Sequence, residues 1–285
     1  MRGKMKQIIS LVLLLFVLVY GVKAQGTDTT KAKPWKVGTV FNATLAQTSL
    51  SNWAGGGENS LSLSGLSNTT TNYAKDKISW ENTFDFAYGI IKQGDASVDK
   101  SDDKIEISSK LGRQLKSYWN LAADVEFRSQ FSPGYESGIL ISKFLAPAYV
   151  VSTIGLEYKP SEDFFILVST LTGKTTLVMD DKLSDAGAYG VDPGDKIRNE
   201  LGSYLKSMLK VDLMENISLQ TKLNLFSSYK KNLDQTDVSW ETLLLMRVNK
   251  YITTNFNTHL IYDEDVTTDV QFKEVLSVGV AFEWK

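Results

Sequence analysis

Histidine occurs once in this chain, at position 259, and cysteine does not occur. Thiolate nucleophiles, disulfides, thiolate metal sites and histidine clusters are therefore excluded. Any Ser–His–acid site would have to use His259. In "TNFNTHLIYD" that residue alternates with Phe256, Thr258 and Leu260, which puts it on the opposite face of an extended chain. The segment "TGKTT" around Lys174 has the look of a phosphate loop. A P-loop needs a further glycine five residues before Gly173, where Val168 stands. Three acidic stretches could attract a divalent cation: Asp95 to Asp103, Asp180 to Asp195, and Asp263 to Asp269. None has the EF-hand pattern, so solvated surface charge is the expectation, with no cofactor.

The remaining charge is patterned rather than clustered. In "ISWENTFDFAYGII", residues 78–91, Ile78, Trp80, Phe84, Phe86, Tyr88 and Ile90 occupy one phase, broken by Asn82, and Glu81 and Asp85 occupy the other. Period-two alternation is the signature of a strand with one apolar face. It recurs in twelve runs: 35–47, 60–73, 77–92, 104–116, 119–131, 145–159, 164–178, 200–213, 217–229, 238–248, 251–262 and 271–284. Runs of this length suit tilted strands that cross a bilayer. Connections after odd-numbered runs are long, those after even-numbered runs tight, as in a bacterial outer-membrane barrel with both termini in the periplasm. The predicted fold is all-β: one antiparallel transmembrane barrel of about twelve strands over residues 35–285.

Aromatic residues sort to the strand ends. Trp35, Trp80, Trp119, Tyr158, Tyr251 and Trp284 fall at the periplasmic rim, and Tyr88, Tyr229, Trp240 and Tyr262 at the outer rim. The inward phase carries Glu81, Asp85, Glu106, Lys110, Asp124, Glu126, Arg128, Lys206, Lys210, Lys222, Glu241 and Arg247. Such charges either pair across the lumen and plug it or line a narrow aqueous pore. Twelve strands lie between barrels filled by side chains and open porins.

Residues 1–24 read as a cleaved signal peptide: basic "MRGKMK", an apolar core, then Val22 and Ala24 before the cut. The net charge of −2 becomes −6 once Arg2, Lys4, Lys6 and Lys23 are removed. Residues 25–34, "QGTDTTKAKP", read as a short flexible lead-in. Lys+Arg 31 against Asp+Glu 33 gives no basic excess for nucleic acid.

The chain ends "LSVGVAFEWK", in which Ser277, Gly279, Phe282 and Trp284 resemble the C-terminal signal read by the outer-membrane assembly machinery, with Lys285 a departure. "SNWAGGGENSLSLSG", through Asn52, Trp53, Gly55, Gly56, Gly57, Glu58 and Asn59, resembles the hallmark of a Bacteroidetes outer-membrane barrel family of unknown function. "LTGKTTLVMDDKLSDAGAYGVDPG" resembles a second block of that family. The resemblance implies a barrel and an outer-membrane address, and no activity. Twelve-stranded barrels include an outer-membrane phospholipase, but its His-x-Ser-Asn-Gly signature is absent, so no enzyme is expected. Two functions lead, a narrow passive channel for small solutes or an accessory barrel that contacts other envelope proteins, with an outer-membrane lipid hydrolase a remote third. The triglycine loop, with Trp53 folded over or into the mouth, is the candidate functional element.

Overall fold

The computed structural model describes residues 34–50 and 58–284. Fourteen strands run in the order β1 (Trp35–Thr48), β2 (Ser60–Lys75), β3 (Ile78–Gln93), β4 (Asp99–Lys116), β5 (Trp119–Ser129), β6 (Gly134–Glu136), β7 (Ile139–Ser142), β8 (Ala148–Ser161), β9 (Phe164–Leu177), β10 (Ile197–Met214), β11 (Ile217–Ser228), β12 (Asp237–Arg247), β13 (Ile252–Asp263) and β14 (Thr267–Trp284). Twelve of them close into one antiparallel barrel, in the ring order β1-β14-β13-β12-β11-β10-β9-β8-β5-β4-β3-β2. The two short strands β6 and β7 form a separate hairpin in the β5–β8 connection. A closed barrel pairs the backbone groups of every spanning strand, which is what hydrocarbon demands.

Closure is made by β1 and β14, in register from Thr39 opposite Trp284 to Thr44 opposite Gly279. Gly279 is there for space. A Cβ on it would lie 2.5 Å from the Ala43 carbonyl oxygen and 2.6 Å from Asn42 Oδ1. The glycine of the C-terminal pattern therefore has a packing reason of its own.

The register sorts the side chains as alternation requires. Trp80 pairs with Leu111, Phe84 with Ile107 and Phe86 with Ile105, all on the outer face. Large apolar residues there stay exposed: Trp80, Leu111, Leu121, Val125, Ile154, Leu156 and Val168 are each at least 42% accessible. Asn82, which interrupts the apolar phase, is buried, accepts from Ser109 Oγ and donates to the Thr71 carbonyl. The lower rim is a girdle of touching rings. Trp35 meets Tyr73 and Trp80 at 5.2 and 5.6 Å, Trp119 meets Tyr158 at 5.1 Å, and Tyr251 and Trp284 flank Phe282. At the other rim Tyr88 lies edge-on to Phe131.

Two expected loops are shorter than the sequence suggested. The fourth run begins at Asp99 rather than 104, and the last at Thr267 rather than 271, which leaves tight turns at 94–98 and 264–266. These added strand ends are polar on both faces apart from Val270, so they carry no apolar alternation. They continue the ladder beyond the apolar band, where both faces meet water.

Candidate functional site

The candidate site is the lumen and the loops over one end of it. Two ion pairs cross the lumen in the middle of the strands. Lys104 on β4 reaches Glu241 on β12 at 3.2 Å, and Lys222 on β11 lies 3.8 Å from Asp85 on β3. Each pair joins strands six places apart in a ring of twelve, so both span a diameter. Lys104 also holds Glu106 at 2.6 Å, and Asn68 Nδ2 donates to Asp85. The pairs form a chord that divides the lumen into two arcs.

The arc of β5, β8, β9 and β10 is filled. Lys206 sits 2.7 Å from both Asp124 and Glu126, and Tyr204 donates to Glu126 at 3.2 Å. Lys110 joins Glu157 directly and Glu81 at 3.1 Å, with Phe165 beneath its ammonium group. Lys159 bonds Glu81 at 2.6 Å. Lys174 bridges Asp237 and Asp263 at 2.6 and 3.1 Å. Inward-facing Leu167 and Thr172 are 0% accessible, Glu157 1% and Asp124 2%.

The arc of β13, β14, β1 and β2 differs. Between its ends the inward positions hold Asn255, Asn257, Val275, Ser277, Gly279, Val40, Asn42, Thr44, Ser64, Leu66, Asn68 and Thr70, none of them ionisable. Leu66 and Val275 face inward and are still 46% and 38% accessible. Water reaches them from the lumen. His259 also faces inward, opposite Glu241, with Nε2 3.0 Å from Ser239 Oγ.

One end is roofed over the filled arc. The β5–β8 connection, with the β6–β7 hairpin, meets the β9–β10 connection, which holds a short helix α1 (Asp181–Asp185) and the 3-10 turn Ala188–Gly190. Ala146, Val178, Leu183 and Val191 form their shared apolar core, with Ala188 and Tyr189 against it. Tyr189 Oη donates to the Ile141 carbonyl at 2.5 Å, and Asp180 caps α1 while bonding Lys143 at 2.5 Å. Lys143 and the α1 amides hold the Asp180 carboxyl below the ordinary value. Burial raises Asp265, but bonds from Arg198 and Lys231 outweigh it and lower its pKa. Between roof and chord lies a cavity of about 560 Å³, bounded by Ile141 and Tyr189 above, Lys104 and Glu241 below, and Arg128, Tyr149 and Phe226 at the side.

Most of the expected inward charges are thus brought together. Lys210 makes no ion pair among the described residues, and Arg247 pairs instead with Glu283 at the rim, at 2.9 Å. Arg128 borders the cavity, and its Nε has no partner among the described residues. Lys104, Glu157, Lys159, Lys174, Asp237 and Asp263 also belong to the network, although the sequence did not single them out as inward charges. The carboxylates of the first acidic stretch are already engaged: Asp103 accepts from Lys100, Ser132 and the Phe131 amide, and Asp102 accepts from Lys273 on β14. No group of three or more His, Asp or Glu among the described residues could hold a metal ion.

Of the triglycine loop, Asn52, Trp53, Gly55, Gly56 and Gly57 lie outside the described residues, as do residues 1–33, on which the expected signal peptide and most of the expected lead-in fall. Asn59 is described, and its Oδ1 accepts from the Leu50 amide at 2.6 Å across the loop base.

A closed barrel with an apolar outer face, an aromatic girdle and a polar, charge-crossed interior defines a membrane-spanning β-barrel. The family described as a protein of unknown function (DUF3078) matches residues 45–135, from the end of β1 to the β6–β7 hairpin. No curated protein matches the chain. Among solved structures, an outer membrane channel from Pseudomonas putida F1 is similar at 12% identity and TM-score 0.41, over 92% of this chain and 99% of that one. The translocator domain of autotransporter NalP from Neisseria meningitidis follows at 9% and 0.35, covering 100% and 98%. OmpF of Salmonella typhi, in complex with daunomycin, aligns at 6% and 0.33, over 88% and 97%. The fold itself is defined by the strand register that closes the barrel.

Proposed function

We propose that this chain is an outer-membrane barrel, exported by residues 1–24, that forms a narrow passive channel for small solutes. The observation that carries the reading is the half-open lumen. The chord and the filled arc occupy one side, while inward-facing Leu66 and Val275 stay water-accessible on the other. Narrowness follows from the chord, which leaves a crescent rather than a full bore. The last strand, through Ser277, Gly279, Phe282 and Trp284, serves the barrel assembly machinery during insertion. Planar-bilayer recording on purified mature protein tests the reading: small, discrete current steps or solute flux are expected, and a folded barrel that passes neither ions nor neutral solutes refutes it.

A second reading is favoured by the roof. Its apolar core and ion pairs make an ordered surface on the outside of the barrel, suited to contact with other envelope proteins. A folded, non-conducting barrel that co-purifies with envelope proteins, and loses them when residues 134–142 are replaced by a short linker, would select it.

A further inference from the structure

The open arc says what class of solute the channel takes. We infer that the crescent beside β13, β14, β1 and β2 is the permeation path, and that it passes small uncharged polar molecules in preference to ions. The inference rests on the channel reading. Its wall between the two mouths is built mainly of Asn, Ser and Thr with Val40, Leu66, Val275 and Gly279; it holds no carboxylate, lysine or arginine, and its one ionisable side chain, His259, is held by Ser239 at 3.0 Å. Across from that wall stand Lys104, Glu241, Lys222 and Asp85, each already paired with an opposite charge. The chord therefore offers little net field to an ion, which would have to shed water in a narrow space for no compensating charge. A neutral hydroxyl or amide meets groups that both donate and accept, so its lost hydration is replaced. Charges return only at the mouths. Lys273 on β14 bonds Asp102 on β4 at 2.7 Å, across the crescent's end beside the roof, and Arg247 pairs with Glu283 at the other end.

The chain contains no cysteine, so single thiols can be introduced without background. Leu66→Cys and Val275→Cys proteins in liposomes would be treated with a bulky methanethiosulfonate and then with dithiothreitol. Isotonic swelling would be followed with glycerol, urea and arabinose, and current with potassium chloride. The expected result is swelling with the neutral solutes, weak ionic current, loss of swelling on modification and recovery on reduction. A Thr221→Cys protein, modified on the outer face, should keep its swelling rate. Swelling that survives modification of both inward thiols puts the path elsewhere and overturns the inference. Potassium chloride current as fast as neutral flux overturns the selectivity. Neither current nor swelling from folded protein defeats the channel reading itself. Recovery on reduction separates a blocked path from a misfolded variant.

Discussion

Phe84→Arg places a charge on the outer face of β3 and tests which face meets lipid. Phe84 is four residues above Trp80 and four below Tyr88, the aromatic residues at the two rims of the same strand. At about 3.3 Å per residue and a tilt of about 40°, each half-span is about 10 Å high. Phe84 thus sits near the middle of an apolar band of about 20 Å, between Thr69 and Ile107 on the neighbouring strands. Arginine there costs about 2–4 kcal/mol in such barrels, but about 0–1 near the interfaces. The folding equilibrium should fall roughly thirty- to seven-hundred-fold for Phe84→Arg, at about 1.4 kcal/mol per tenfold. Ile90→Arg, above Tyr88 on the same outward phase, should cost little. Asp85→Asn, inward beside Asn68 and 3.8 Å from Lys222, should also cost little, because a long, partly exposed pair contributes about 0–1 kcal/mol. Urea titrations in short-chain lipid vesicles, followed by tryptophan fluorescence, give the three values. Equal stability of Phe84→Arg and Ile90→Arg would refute the depth argument, and a large loss for Asp85→Asn would refute the facing.

The other expectations concern closure, the chord and the roof. Gly279→Val should stop β1 and β14 from closing, since the Cβ would meet the Ala43 carbonyl at 2.5 Å; loss of the heat-modifiable folded band on a gel checks it. Lys104→Gln alone leaves Glu106 and Glu241 without their shared cation and should cost about 1–3 kcal/mol. Adding Glu241→Gln should recover part of that loss and increase single-channel current, as a double-mutant cycle and a bilayer trace would show. The Asp180 carboxyl titrates below its ordinary 3.8, so its hold on α1 is complete above that value and is lost as pH falls through the lowered one. Pepsin should therefore cut near Leu183 faster as the medium is acidified below that range, and Asp180→Asn should weaken this dependence.

What the sequence made legible was whatever depends on alternation alone. Each strand is amphipathic by itself, so Trp80 beside Glu81 gives away its phase with no knowledge of any partner, and tight turns such as those after Lys75 and Lys116 mark the ends. The partly polar extensions of β4 and β14 escaped because water lies on both sides of them and removes the contrast that alternation needs. The lumen was legible only to first order. Parity puts Lys104, Lys222 and Lys174 inward, but whether an inward charge meets a partner depends on strands far away in sequence. Glu241 is 137 residues from Lys104, and the two meet only because closure of the ring sets β4 opposite β12. The same holds for the open arc. Asn42 and Asn257 look unremarkable strand by strand, and only closure at Gly279 sets side by side four walls whose middle carries no carboxylate, lysine or arginine. An even scatter of charge around the ring would have crossed and filled the bore from every direction. Its concentration on β3–β5 and β8–β12 lets the charges neutralise one another on one side, and that segregation is what leaves room for a path on the other.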